Sequence, residues 1–149
     1  MPDNFLILIP TNPQFVPPPD RAQAANDYLL SVLPEAEDIV WMASDDVTFV
    51  DCGNNFEGVG CPACGTELAL TTWQEMMDAA YAANFSDLGI TMPCCGVSSS
   101  LNDLYYHWPA GFARFSLECL NPNADLDDNQ LHTVEDMLGC PVRKIWRSL

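Results

Sequence analysis

The chain has 149 residues, 48% of them hydrophobic, with 21 acidic side chains against 5 basic ones and a formal net charge of −16. That length suits a single domain spanning 1–149, and the apolar content can build a core, which argues against a disordered tail. The charge argues against binding nucleic acid or an anionic membrane, because both present negative phosphates. It suits solubility and a basic protein partner.

The N-terminus, Met1-Pro2-Asp3, is not the basic start of a signal peptide, and the apolar run Phe5 to Ile9 is too short for its hydrophobic region. No stretch approaches the roughly 18 apolar residues of a membrane helix. The expected compartment is therefore the cytoplasm, where thiols stay reduced. Seven cysteines, an odd number, fit metal binding there better than a disulfide framework.

In chain order, Phe5 to Ile9 reads as a buried strand closed by Pro10. A proline-rich loop, 11–19, leads to Asp20, which is placed to cap a helix running to about Leu33. Ala22, Ala25, Tyr28, Leu29 and Val32 share one face of that helix. Ile39 to Met42 and Val47 to Cys52 read as two strands or one bent strand, with Asp45 and Asp46 at the turn. Glycines 53, 58, 60 and 65 mark an irregular stretch.

Thr72 and Glu75 have the spacing of a capping box, opening a helix that would bury Trp73, Met76, Met77, Ala80 and Tyr81. Leu88 to Thr91 is a short strand, and 97–111 is rich in loops. Ala113 to Leu120 alternates cleanly, with Ala113, Phe115, Leu117 and Cys119 on one side and Arg114, Ser116 and Glu118 on the other. Asp127 or Asp128 opens a last helix with Leu131, Val134 and Leu138 inward, ended by Gly139. Val142 to Arg147 closes the chain as a strand. Its bases, Arg143, Lys144 and Arg147, read as partners for nearby acids.

The chain echoes itself. Phe5 to Pro10 and Ala113 to Leu120 are each followed by Asn-Pro, a helix and a strand. Two β-α-β units predict an α+β fold with a small ferredoxin-like (split βαβ) sheet and helices on one face. Residues 53–111 would be an insertion that carries a helix and a zinc-knuckle site.

The strongest local motif is Cys61-Pro62-Ala63-Cys64-Gly65. Its spacing brings two thiolates to one ion, and the glycine permits a left-handed turn that points amides back at sulfur. A second copy, Met92-Pro93-Cys94-Cys95-Gly96, aligns Cys95 with Cys64 and Met92 with Cys61. These ten positions resemble the knuckles of zinc-ribbon and rubredoxin-like proteins. The resemblance implies one structural Zn2+ held by four thiolates. The second copy departs from that pattern at Met92, since a thioether is a poor zinc ligand. Cys61, Cys64 and Cys95 are three expected ligands and Cys94 the first choice for the fourth, with His107, Cys52 and Cys119 in reserve. Cys119 otherwise belongs to the core, and Cys140 to the end of the last helix.

Two enzymatic alternatives stand beside this. One is a thiol redox protein using Cys61 and Cys64, although no helix signal follows that pair directly. The other is an open-site zinc hydrolase, although no His-Glu-x-x-His or deaminase motif is present. Ser98–Ser100, Asp103 and His107 lack the features of a hydrolytic triad. Asp125, Asp127 and Asp128 lack calcium-loop spacing. The rings of Tyr105, Tyr106 and Trp108 either pack on the insertion or form a contact surface. With no catalytic set, the expectation is a non-enzymatic interaction module of the inhibitor, immunity or regulatory type.

Overall fold

In the computed structural model, which describes residues 3–149, the chain runs β1 (Asn4–Pro10), α1 (Pro19–Val32), β2 (Asp38–Val50), β3 (Val59–Gly60), α2 (Leu70–Tyr81), β4 (Gly89–Thr91), β5 (Ser98–Ser100), β6 (Tyr105–Tyr106), β7 (Gly111–Leu120), α3 (Asp128–Leu138) and β8 (Val142–Ser148). Met1 and Pro2 of the non-basic N-terminus lie outside the described residues. The fold is α+β. Strands β2-β7-β1-β8, in that order, form an antiparallel sheet. Each β-α-β unit therefore has its two strands separated by one strand of the other unit. Among the described residues no helix is long and apolar enough to cross a membrane.

Register and pleat sort the side chains. Leu6 pairs with Cys119 and Leu8 with Leu117, so their side chains share a face with Phe115 and Ile39. That face is covered by Ala22, Ala25 and Leu29 of α1 and by Val134 and Leu138 of α3. Cys119 is thus a core residue. Ile7, Ile9 and Ile145 turn the other way and pack with Val50 and Cys52. Two expectations for β7 are corrected: Ser116, expected on the polar side, is buried, and Ala113, expected beside Phe115, packs instead with Ile7 and Ile9.

The helix ends show where local signals decide. Asp127 caps α3 by a complete capping box: its carboxylate accepts from the Gln130 amide at 2.7 Å, and Gln130 Oε1 accepts from the Asp127 amide at 3.0 Å. The other two expected caps are corrected. Asp20 does not cap α1, which starts at Pro19. A proline at the first position needs no N–H partner and already has helical φ, so the turn begins before Asp20. Nor does Thr72 cap α2, which starts at Leu70 with Ala69 at its cap and no side-chain bond. Buried Leu68 is still pinned to β3 through its amide (Val59 O, 2.8 Å), and the helix begins directly beyond that pin.

β2 is one bent strand. Its register with β7 shifts between Ala43 and Thr48, so residues 44–47 bulge out. Arg114 Nε donates to Ser44 O at 3.0 Å and holds the bulge to the sheet.

Residues 51–110 leave the sheet and return. They bury a further apolar cluster that includes Val59, Leu68, Met92, Leu101 and Tyr106, joined by Phe112 of β7. Trp73, Met76 and Met77 pack against it half-buried, but Tyr81 is not buried: at 70% exposure it stands largely in solvent at the end of α2, its ring edge-on to Phe85. The loop-rich stretch 97–111 contains β5, β6 and a 3₁₀ turn at Leu101–Asp103. Of the C-terminal bases, Lys144 pairs with Asp125 at 2.9 Å and Arg147 with Asp51 at 3.2 Å. Arg143 instead ties the insertion to the sheet by donating to Ala110 O at 2.8 Å and Asn102 O at 3.0 Å.

Phe112 carries β7 into the insertion's apolar cluster, with ring centres 5.0 Å from Phe49 of β2 and 5.2 Å from Phe85. Phe112→Ala is expected to cost about 3–5 kcal/mol, read by urea unfolding. Asp127→Ala at the α3 cap is expected to cost only about 1 kcal/mol.

Candidate metal centre

Two small hairpins carry the cysteines. The first leaves β3 at Gly60 and returns at Glu67, which bridges back to Gly60. The second joins β4 to β5. Their backbones repeat one another. Cys61 N donates to Thr66 O at 2.9 Å and Gly65 N to Cys61 O at 3.0 Å. In the second, Met92 N donates to Val97 O at 2.9 Å and Gly96 N to Met92 O at 2.8 Å. Gly65 has φ +77 and Gly96 φ +75, the left-handed conformation that closes such a turn and that a Cβ makes costly.

The two turns face each other. The sulfurs of Cys61, Cys64, Cys94 and Cys95 all lie within 4.8 Å of one another. Cys64 and Cys94 are 3.3 Å apart and Cys61 and Cys95 3.8 Å apart. A tetrahedral ion with metal–sulfur bonds of about 2.3 Å places its sulfurs ~3.8 Å apart, so four thiolates here fit a single ion. These four residues could hold a metal ion.

The donors are not equivalent between the turns. Cys64 and Cys95 occupy the same position, just before the glycine. Met92 occupies the position of Cys61, is 1% exposed, and joins the apolar cluster of the insertion. The fourth sulfur of the cluster comes instead from Cys94, which corresponds to Ala63 in the first turn. The reserve candidates lie elsewhere. His107 is engaged by Glu67 at 2.5 Å, Cys52 is buried beside Ile7 and Ile9, and Cys119 is in the helix-covered core.

Electrostatics divides the four thiols. The Cys64 pKa is lowered to about 6, first by the Thr66 hydroxyl 3.2 Å from its sulfur, then by the Thr66 amide and by Cys94. Cys61 is also lowered, chiefly by the Cys64 amide. Cys94 is raised to about 12, first by its hydrogen bond to Cys64 and then by desolvation. Cys95 is raised: the Val97 amide pulls it down, but desolvation and sharing with Cys61 outweigh that. Without a cation, then, Cys64 is the thiol that gives up its proton most readily and Cys94 holds its proton firmly. A divalent cation would displace the remaining protons. Thr66 escapes notice in the sequence, because its counterpart in the second turn is Val97.

Comparison with known proteins found no family model that matches the chain, and no curated protein or solved structure significantly similar to it.

Because the Cys64 pKa is lowered, metal-free protein should hold thiolate there above about pH 6 and regain the proton below it. Iodoacetamide is expected to label Cys64 faster than Cys94 at neutral pH, with the Cys64 rate falling as pH drops through about 6. Thr66→Val removes the hydroxyl and should move that inflection upward. Peptide mapping of the label checks both.

Proposed function

We propose that Cys61, Cys64, Cys94 and Cys95 bind one zinc ion as a closed structural centre, and that the chain acts as a non-enzymatic interaction module for a basic protein partner. The observation that carries the metal reading is the convergence of four sulfurs within 4.8 Å from two matching turns. Cys94 supplies the fourth donor in this reading. Soft thiolate donors suit zinc over magnesium, calcium or manganese. Bound zinc would supply a +2 charge against four thiolates, leaving the centre at −2, with no position open for water.

The interaction reading draws on other features. The formal charge of −16 favours a cationic partner and fits the inhibitor, immunity or regulatory type. Two facts weigh against the redox alternative. Cys61 and Cys64 lie in a hairpin turn, and α2 begins only at Leu70, so a helix dipole is not what lowers either thiol. A hydrolase would need an open ligand position, which a shell of four sulfurs does not leave.

Elemental analysis of the purified protein is expected to give one zinc per chain. Cys61→Ser, Cys64→Ser, Cys94→Ser and Cys95→Ser should each lower affinity and reduce the thermal midpoint by roughly 10 °C or more. Cys52→Ser should keep full occupancy. Substitution with cobalt should give the strong charge-transfer absorption of four thiolates. The same spectrum in Cys94→Ser would remove Cys94 from the shell. A metal-free native protein that cycles a disulfide would favour the redox alternative.

A further inference from the structure

A second feature lies away from the sulfurs. The end of α2 and the bulged segment of β2 enclose a cleft of about 550 Å³, lined by Asp46, Phe49, Met77, Asp78, Tyr81 and Phe85 among others. The volume is in the range of small binding sites. Its β2 wall belongs to an edge strand, so no further strand closes it.

Aromatic rings form much of the lining. Tyr81 and Phe85 meet edge-on at 5.7 Å. Phe85 holds φ +55, a costly conformation for a bulky residue. It is fixed there by its N–H, which donates to Ala80 O at 2.9 Å, and by its ring against Phe112 at 5.2 Å. Tyr81, 70% exposed, is left in solvent at the rim.

Among the described residues the two carboxylates, Asp46 and Asp78, have no cationic partner: the ion pairs there engage Glu67, Asp125, Asp51 and Glu118. No arginine or lysine lines the cleft. An anion would be repelled there, and a neutral apolar ligand would desolvate the acids without compensation. A cation meets both demands at once, through charge with the carboxylates and through the ring quadrupole of Tyr81. A second copy of the chain is a poor occupant, since each copy carries −16 and four of its five bases, Arg114, Arg143, Lys144 and Arg147, are already engaged, leaving Arg21.

We propose that this cleft takes an arginine or lysine side chain of a basic protein partner, anchoring that partner beside β2. The inference rests on the interaction-module reading and is independent of the metal centre.

The test is an amide NMR titration of the intact protein with three synthetic heptapeptides, identical except for arginine, lysine or neutral citrulline at the centre. Saturable shifts are expected at 46–49 and 77–85 with arginine or lysine, and roughly fivefold weaker binding with citrulline. Asp78→Asn should weaken the cationic peptides roughly fivefold and Tyr81→Ala about threefold or more. Asp136→Asn on α3 makes the same change in net charge away from the cleft and should leave binding intact. Equal weakening by Asp136→Asn, equal binding of citrulline, or shifts centred elsewhere would overturn the proposal. Zinc content is measured for every variant. Failure with metal retained overturns the cleft assignment and leaves the metal reading standing.

Discussion

The approach of four sulfur atoms to within 4.8 Å of one another is the constraint on which the segment between β2 and β7 depends. Thiols at that separation do not ionise independently. The Thr66 hydroxyl and nearby amides lower the pKa of Cys64 and Cys61, while those of Cys94 and Cys95 are raised. Packing alone gives little reason to hold three exposed cysteines together on a chain already at −16. On the proposed zinc reading the arrangement has a purpose, because one cation neutralises the cluster and ties two hairpins that share few backbone bonds.

The rest of the insertion is arranged around that junction. β3 and β6 are two residues each and β4 and β5 three each, too short to hold a fold by ladder bonds alone. Beneath the sulfurs lies an apolar cluster to which Cys61 and Met92 both belong. Met92 explains the asymmetry of the two turns. Its position is given to the core, and the fourth clustered sulfur is that of Cys94. Arg143 and Phe112 then fasten this unit to the sheet, one by carbonyl bonds and the other by ring contacts.

Much of the architecture was legible where periodicity was strong. β1, β7 and β8 and the two helices over the sheet follow from apolar patterning, and the internal echo predicts their β-α-β grouping. Cys119 was rightly assigned to the core from its alternation with Phe115 and Leu117. The helix starts were less legible. Thr72 has the spacing of a cap, but the tertiary pin at Leu68 sets the start of α2 instead. Tyr81 has the spacing of a buried residue, yet the helix ends there and turns it outward. The convergence of the two Pro-Gly turns was visible in the motifs. Thr66, Glu67 and the Asp46–Asp78 cleft were not, since their roles come from contacts between segments distant in sequence.

The central claim is that metal at the four cysteines holds the insertion together while the sheet stands without it. Amide hydrogen exchange before and after chelation tests this most directly. The account predicts that removing metal speeds exchange at Gly65, Gly96 and the α2 amides, while β1, β7 and α3 keep their protection. Unchanged exchange in the insertion after complete metal removal would contradict it, as would loss of protection in the sheet and insertion together.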